Sequence, residues 1–259
     1  MSKPKAALVT ENVIEVPDAH DPVLICGLPG SGYVGKLAAD HLVSSLDLKK
    51  VAEYSSSTFP PQVSVKEDGT VDPPRGELYF AQAKEGRGVF VFTADAQPTS
   101  SEGEYELSDA VVRFAKKCGV TKVYTLAAYI TGSFSKSPKV FGSGTSKRMV
   151  ESLSEEGVTL MKDGGISGMN GLLIGVAALR GLEGACLLGE TSGYVVDAGA
   201  SKAVLETLSK VIGLRLDTSK LEEKAAETQK VISQLQAMAD QSREAAPQSE
   251  REQRPAYFG

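Results

Sequence analysis

Two kinds of apolar pattern alternate along this chain. Short, nearly continuous apolar runs closed by glycine or turn residues read as strands buried on both faces: PVLICGLPG at 22–30, GVFVFTA at 88–94, TKVYTLAAY at 121–129 and GACLLG at 184–189. Between them, apolar positions recur at helical spacing. Val34, Leu37, Ala38, His41, Leu42 and Leu46 mark the first such stretch. Similar patterns predict helices at 107–118, closed by Gly119, and at 145–155, 169–179 and 200–212. A shorter strand is predicted at 50–54, and Asp68-Gly69 between β-rich runs signals a hairpin. Strands alternating with helices predict βαβ units, hence an α/β domain with a mostly parallel sheet covered on both faces. It spans about residues 10–216, and no internal repeat is visible.

The character changes at Ser219. In LEEKAAETQKVISQLQAMADQ, Leu221, Ala225, Thr228, Ile232, Leu235 and Ala239 recur in alternating steps of four and three, the seam of a short helical pairing. Ser219 with Glu222 three residues on reads as a capping box. Such a helix either packs on its own domain or pairs with another chain. Beyond it, QSREAAPQSEREQ has no large apolar side chain and cannot offset the entropy of ordering itself. The parse is therefore an α/β core over 1–217, a C-terminal helix over 218–240 and a flexible tail over 241–259. That tail ends in RPAYFG. Its aromatic pair is an accident of the terminus, a piece that packs back on the body, or an anchor for another protein.

Composition narrows the classes. With 41% hydrophobic residues in 259, the chain has material for a sizeable core. The formal charge is -5 and the Lys and Arg residues are scattered, which argues against a nucleic-acid partner. No apolar run reaches the ~20 residues of a membrane span, and MSKPKAALVTENVIEV lacks the apolar region of a secretion signal. A cytoplasmic location without a membrane partner is the expectation. Cys26, Cys118 and Cys186 show no CxxC spacing, and His20 and His41 have no ligand-spaced neighbours, so neither a disulfide framework nor a metal site is expected.

The stretch GSGYVGKL, 30–37, follows a predicted strand and opens a helix. It fits seven positions of the phosphate-binding pattern GxxxxGK[ST], with Gly30, Gly35 and Lys36 in place and Gly32 between them. Leu37 stands where a magnesium-binding hydroxyl belongs, and the strands KVYTLAAY and GACLLG do not end in Asp. The simpler reading is a structural turn, since glycines let a helix pack close to a strand. Gly171 and Gly175 on the helix at 169–179 read as packing in the same way. In GETSGY, Glu190 and Thr191 follow a strand at the edge where α/β ligands sit; a turn or cap role is the simpler alternative. No GxSxG elbow or other catalytic set is found, so no catalytic residue is assigned.

Three segments in order, GLPGSGYVG, ISGMNGLLIGVAALRG and LLGETSGYVVDAGASKAVLETL, resemble the proteasome assembly chaperone family, and most closely its archaeal homologues. The likeness runs from about Asp21 to Leu216, and the MNGLLIG–GETSGY pair is its most specific part. It implies a three-layer α/β/α domain related to nucleoside-phosphorylase-like folds, without known catalysis or cofactor. Archaeal members are similar in carrying a C-terminal helix and a tail that engages α subunits of the 20S proteasome. The tail motif of proteasome activators is a hydrophobic residue, tyrosine, then any residue. Here Tyr257 takes the hydrophobic place, Phe258 the tyrosine place without its hydroxyl, and Gly259 the last. The resemblance thus implies a homo-oligomer, tetramer or pentamer, that assists proteasome assembly or opens its gate without ATP. The alternative is a nucleotide- or metabolite-binding enzyme using the 27–35 loop, as the ATP-grasp-like label of related chains would have it.

Overall fold

The four apolar runs become the middle of one sheet. A computed structural model describes residues 8–83 and 86–245. Strands β1 (Val9–Val13) and β2 (Val23–Gly27) lead through a short 3-10 turn, Ser31–Tyr33, into α1 (Val34–Ser45). Next come β3 (Lys49–Ser56), the predicted hairpin as β4 (Ser64–Val65) and β5 (Val71–Asp72), then β6 (Gly76–Gln82) and β7 (Gly88–Ala94). After α2 (Ser101–Lys117) follow β8 (Lys122–Ile130), β9 (Val140–Gly144), α3 (Lys147–Glu155) and β10 (Thr159–Leu160). The described residues end with α4 (Gly168–Leu179), β11 (Glu183–Thr191), α5 (Ala198–Ile212) and α6 (Ser219–Ala245).

Among the described residues, nine strands form a sheet in the order β1-β3-β6-β7-β2-β8-β11-β9-β10. The central set β7-β2-β8-β11 is parallel, and every residue of β2 and β7 is buried. Helices therefore cover both faces, as a parallel sheet requires. Phe90, Phe92 and Val123 pack with α2 and α4 on one face. Val89, Val91 and Leu126 pack with α1, α3 and α5 on the other. The result is the expected three-layer α/β/α domain. Its shoulders are antiparallel, where β1, β3 and β6 extend one side and β9 pairs with β11 on the other.

Local chemistry sets the helix starts. Ser100 accepts a hydrogen bond from Gly103 N at 3.2 Å, Ser146 from Met149 N at 3.2 Å, and Asp197 from Ala200 N at 2.9 Å, each satisfying an N–H that lacks an intrahelical partner. The α6 start differs from the expected capping box. It is Asp217 that accepts the Ser219 N–H, at 2.9 Å, and this bond above all holds the Asp217 carboxyl below its ordinary range. The helix runs past residue 240 into the stretch read as tail.

Two contacts fasten α6 at its base. Leu221 is buried in the core shared with α5, and the buried His41 on α1 donates through Nε2 to the Asp217 carbonyl. A carbonyl only accepts, so Nε2 carries the proton. Of the predicted seam, Ala225 and Thr228 are half-buried; Ile232, Leu235 and Ala239 lie outside the described side chains. Tyr257, Phe258 and Gly259 lie outside the described residues.

Candidate functional site

The carboxyl ends of β7, β2, β8 and β11 share one edge of the sheet, where loops of α/β proteins gather ligands. Both stretches singled out in the sequence lie here. The loop after β2 is drawn tight by glycine. A Cβ on Gly27 would lie 2.1 Å from the Gly35 carbonyl oxygen, and one on Gly35 the same distance from that of Leu126. Helix α1 thus rests directly on β2 and β8. Gly32 takes a left-handed φ of 60°, and its carbonyl accepts from Asp197 N at 2.8 Å.

The loop after β11 closes on the same point. Thr191 is buried, with its hydroxyl donating to Asp197 Oδ2 at 2.8 Å. A Cβ on Gly32 would sit 3.0 Å from that hydroxyl. Ser201 Oγ adds a bond to the Val34 carbonyl at 3.0 Å. Gly32 and Thr191 therefore meet in a packed junction. The other predicted residues diverge from it: Lys36 Nζ lies 2.6 Å from Asp40 Oδ1 along α1, and Glu190 Oε2 accepts the Lys139 N–H at 3.1 Å.

Gly30 faces a different space. A cavity of about 350 Å³ lies between Gly30 and Ser31, the end of β8 at Ala127 and Tyr129, and the approach to α4 at Asn170. Gln97, in the loop after β7, braces it from both ends. Its Nε2 donates to the Pro29 carbonyl at 2.6 Å, and its Oε1 accepts from Met169 N at 2.8 Å. No Asp, Glu, Lys, Arg, His or Cys lines this cavity, so Tyr129 is the lining side chain nearest to an ordinary general acid or base. Sequence reasoning missed Gln97, Ser31 and Asn170. The one signal for Asn170 was a lone amide inside the apolar run GMNGLLIG.

The three cysteines and His41 are quenched or engaged. Burial pushes the thiols of Cys26 and Cys186 far up, the latter to about 12, and raises Cys118 as well; a protonated thiol is a poor nucleophile. His41 is engaged at Asp217. Among the described residues there is no cluster of three His, Cys, Asp or Glu side chains fit to hold a metal ion, and no helix long and apolar enough to cross a membrane.

Fold and edge together define a three-layer α/β/α domain with a trailing helix. The PAC2 family model matches residues 24–236, and the chain belongs to that family. It is similar to the crystal structure of Pyrococcus furiosus PbaB, an archaeal proteasome activator, at 36% identity over 89% of this chain and 99% of that one, with a TM-score of 0.82. It is also similar to Pyrococcus furiosus PbaA, an archaeal homolog of proteasome-assembly chaperone, at 32% identity over 93% and 96% of the two chains and a TM-score of 0.72. An uncharacterized protein of Methanocaldococcus jannaschii is 36% identical over 97% of this chain and 98% of its own length. The resemblance read from the three sequence segments is thereby shown.

Proposed function

We propose that this protein is a cytoplasmic, non-enzymatic proteasome-binding chaperone or activator, acting as a homo-oligomer of four or five chains. The observation that carries the reading is likeness over nearly the whole chain to a proteasome activator, supported by the second likeness to an assembly-chaperone homolog. In this reading Tyr257, Phe258 and Gly259 dock between α subunits of the 20S core. The terminal carboxylate pairs with a lysine there, and the aromatic rings fill apolar space beside it. One tail binds weakly because a flexible segment must be ordered on docking, and several tails on one oligomer gain through effective concentration. Helix α6, anchored at Leu221 and Asp217, gives those tails a fixed origin. Independence from ATP is supported by the engagement of Lys36 with Asp40 and by Leu37 in the magnesium-binding place.

The test is peptide hydrolysis by the cognate 20S proteasome, paired with co-sedimentation. It compares the full chain, a form ending at Ala256, and Phe258→Ala. Binding by the full chain, lost on truncation and weakened about thirtyfold by Phe258→Ala, is the expected result for a buried aromatic anchor. Tail-dependent binding with stimulated hydrolysis identifies an activator, and without stimulation an assembly factor. Equal binding by all three forms, or by none, overturns the tail reading.

A further inference from the structure

We propose that the exposed apolar rim carried by the loops at 30–33, 130–134 and 191–196 is the surface on which a second copy of this chain packs. The proposal rests on the homo-oligomer reading above and names the face that the oligomer uses. Tyr33, Ile130, Phe134, Tyr194 and Val196 are 40–79% exposed there. Backbone bonds stitch their loops together. Thr131 N donates to the Thr191 carbonyl at 2.9 Å, and Asp197 N to that of Gly32 at 2.8 Å. A Cβ on Gly193 would lie 3.2 Å from Ile130 Cγ2. The apolar side chains thus rise from a fixed backbone, which has little freedom left to lose on binding.

The size of the rim fits a subunit contact. Counting ~200 Å² for a whole aromatic side chain and somewhat less for an aliphatic one, the five leave roughly 500 Å² open to solvent. A stable contact takes about 800 Å² from each partner, and about two thirds of it is apolar where copies of one chain meet. The rim therefore supplies the apolar share of one partner's side. Its residue types agree, since tyrosine is enriched among the side chains that dominate interfaces. Tyr33 also holds a left-handed φ of 53°, a backbone state disfavoured outside glycine and concentrated at functional surfaces.

Charge selects the occupant. Residues 28–35, 126–135 and 191–196 contain no Asp, Glu, Lys, Arg or His. A twofold contact sets the same surface of two copies face to face, and an uncharged surface can do this without opposing like charges. A second groove with exposed Tyr105 and Leu179 lies between α2 and α4. It lacks that property, because Glu106, Asp109, Arg113 and Arg180 line it. A twofold contact also fixes an even number of chains, which selects four over five.

The test is sedimentation velocity of the full chain alone over a range of concentrations, compared with Tyr194→Arg, Ile130→Arg and Leu179→Arg. All three positions are exposed, so the fold is expected to survive each change, and circular dichroism checks it. Expected is an even-numbered native assembly that Tyr194→Arg and Ile130→Arg each reduce to half its mass or less. Association should weaken about a hundredfold, because an unpaired charge is buried in the contact. Leu179→Arg, on the charged groove, is expected to keep the native mass. An odd-numbered assembly, a mass that survives both rim substitutions, or equal dissociation by Leu179→Arg would each overturn the proposal and leave the oligomer itself standing. A native chain that stays monomeric at every concentration would overturn the proposal and the homo-oligomer reading together.

Discussion

A methyl group on Gly35 would collide with the Leu126 carbonyl oxygen at 2.1 Å, while one on Gly30 would meet nothing within 4 Å. These glycines lie five residues apart, Gly30 in the loop after β2 and Gly35 in the first turn of α1, yet they do opposite things. At Gly35 the absent side chain lets α1 touch the sheet, and nearby the junction of Gly32 with Thr191 and Asp197 is closed by direct hydrogen bonds. At Gly30 the absent side chain leaves a mouth, and behind it the buried Oδ1 of Asn170 is unpaired. A glycine-rich strand–helix turn therefore indicates close backbone packing in one place and access to a cavity a few residues away. Only the three-dimensional neighbours separate the two.

Substitution should bring that contrast out, and the largest effect belongs to the packed side. Gly35→Ala forces α1 off β8 and is expected to cost about 3 kcal/mol or more, since overpacking against backbone cannot relax by rotamer change. Urea unfolding measures it, and a change under about 1 kcal/mol would show that the contact between α1 and β8 is not tight. On the open side the sign reverses. Asn170→Leu removes an unpaired buried amide and is expected to stabilise the free protein by about 1 kcal/mol, read as a melting temperature higher by a few degrees. A lower melting temperature would mean that the amide is already satisfied.

The smaller effects test the same boundary. Gly30→Leu is expected to change stability by no more than about 0.5 kcal/mol, because its φ of -172° is extended backbone open to any residue. Lys36→Ala should be the mildest, about 0.3 kcal/mol for an i,i+4 surface pair. It should leave the absence of an Mg-ATP-induced melting shift unchanged. An Mg-ATP shift in the native chain that Lys36→Ala removes would instead restore a nucleotide role to the 30–37 loop.

What was legible in the sequence follows from how each element is stabilised. The runs in β2, β7, β8 and β11 are buried on both faces, so composition alone marks them. The strand β1, VTENV, and the strand β9, VFGSG, escaped notice. Both are five residues long and mostly half-buried or exposed, and VTENV carries Glu and Asn while VFGSG carries two glycines, residues depleted in strands. The antiparallel shoulders were equally hidden, because pairing direction depends on which strands meet and not on local pattern. At the site, Gly30 was found through its motif. Gln97 was not, since its role comes from Pro29 and Met169, which lie 68 and 72 residues away in the chain. Asn170 looked like a stray polar residue in a packed helix until its unpaired oxygen and the adjoining cavity gave it a context.

The bond from His41 to the Asp217 carbonyl has a mechanical side as well. It and the buried Leu221 clamp the chain on either side of the α6 start. A pull transmitted down α6 meets Leu221 first and the Asp217 hold four residues later. Part of the tension passes straight to α1, which lies against the centre of the sheet. The body then moves as one piece under load, where a single hold would let the chain peel away from its last core helix.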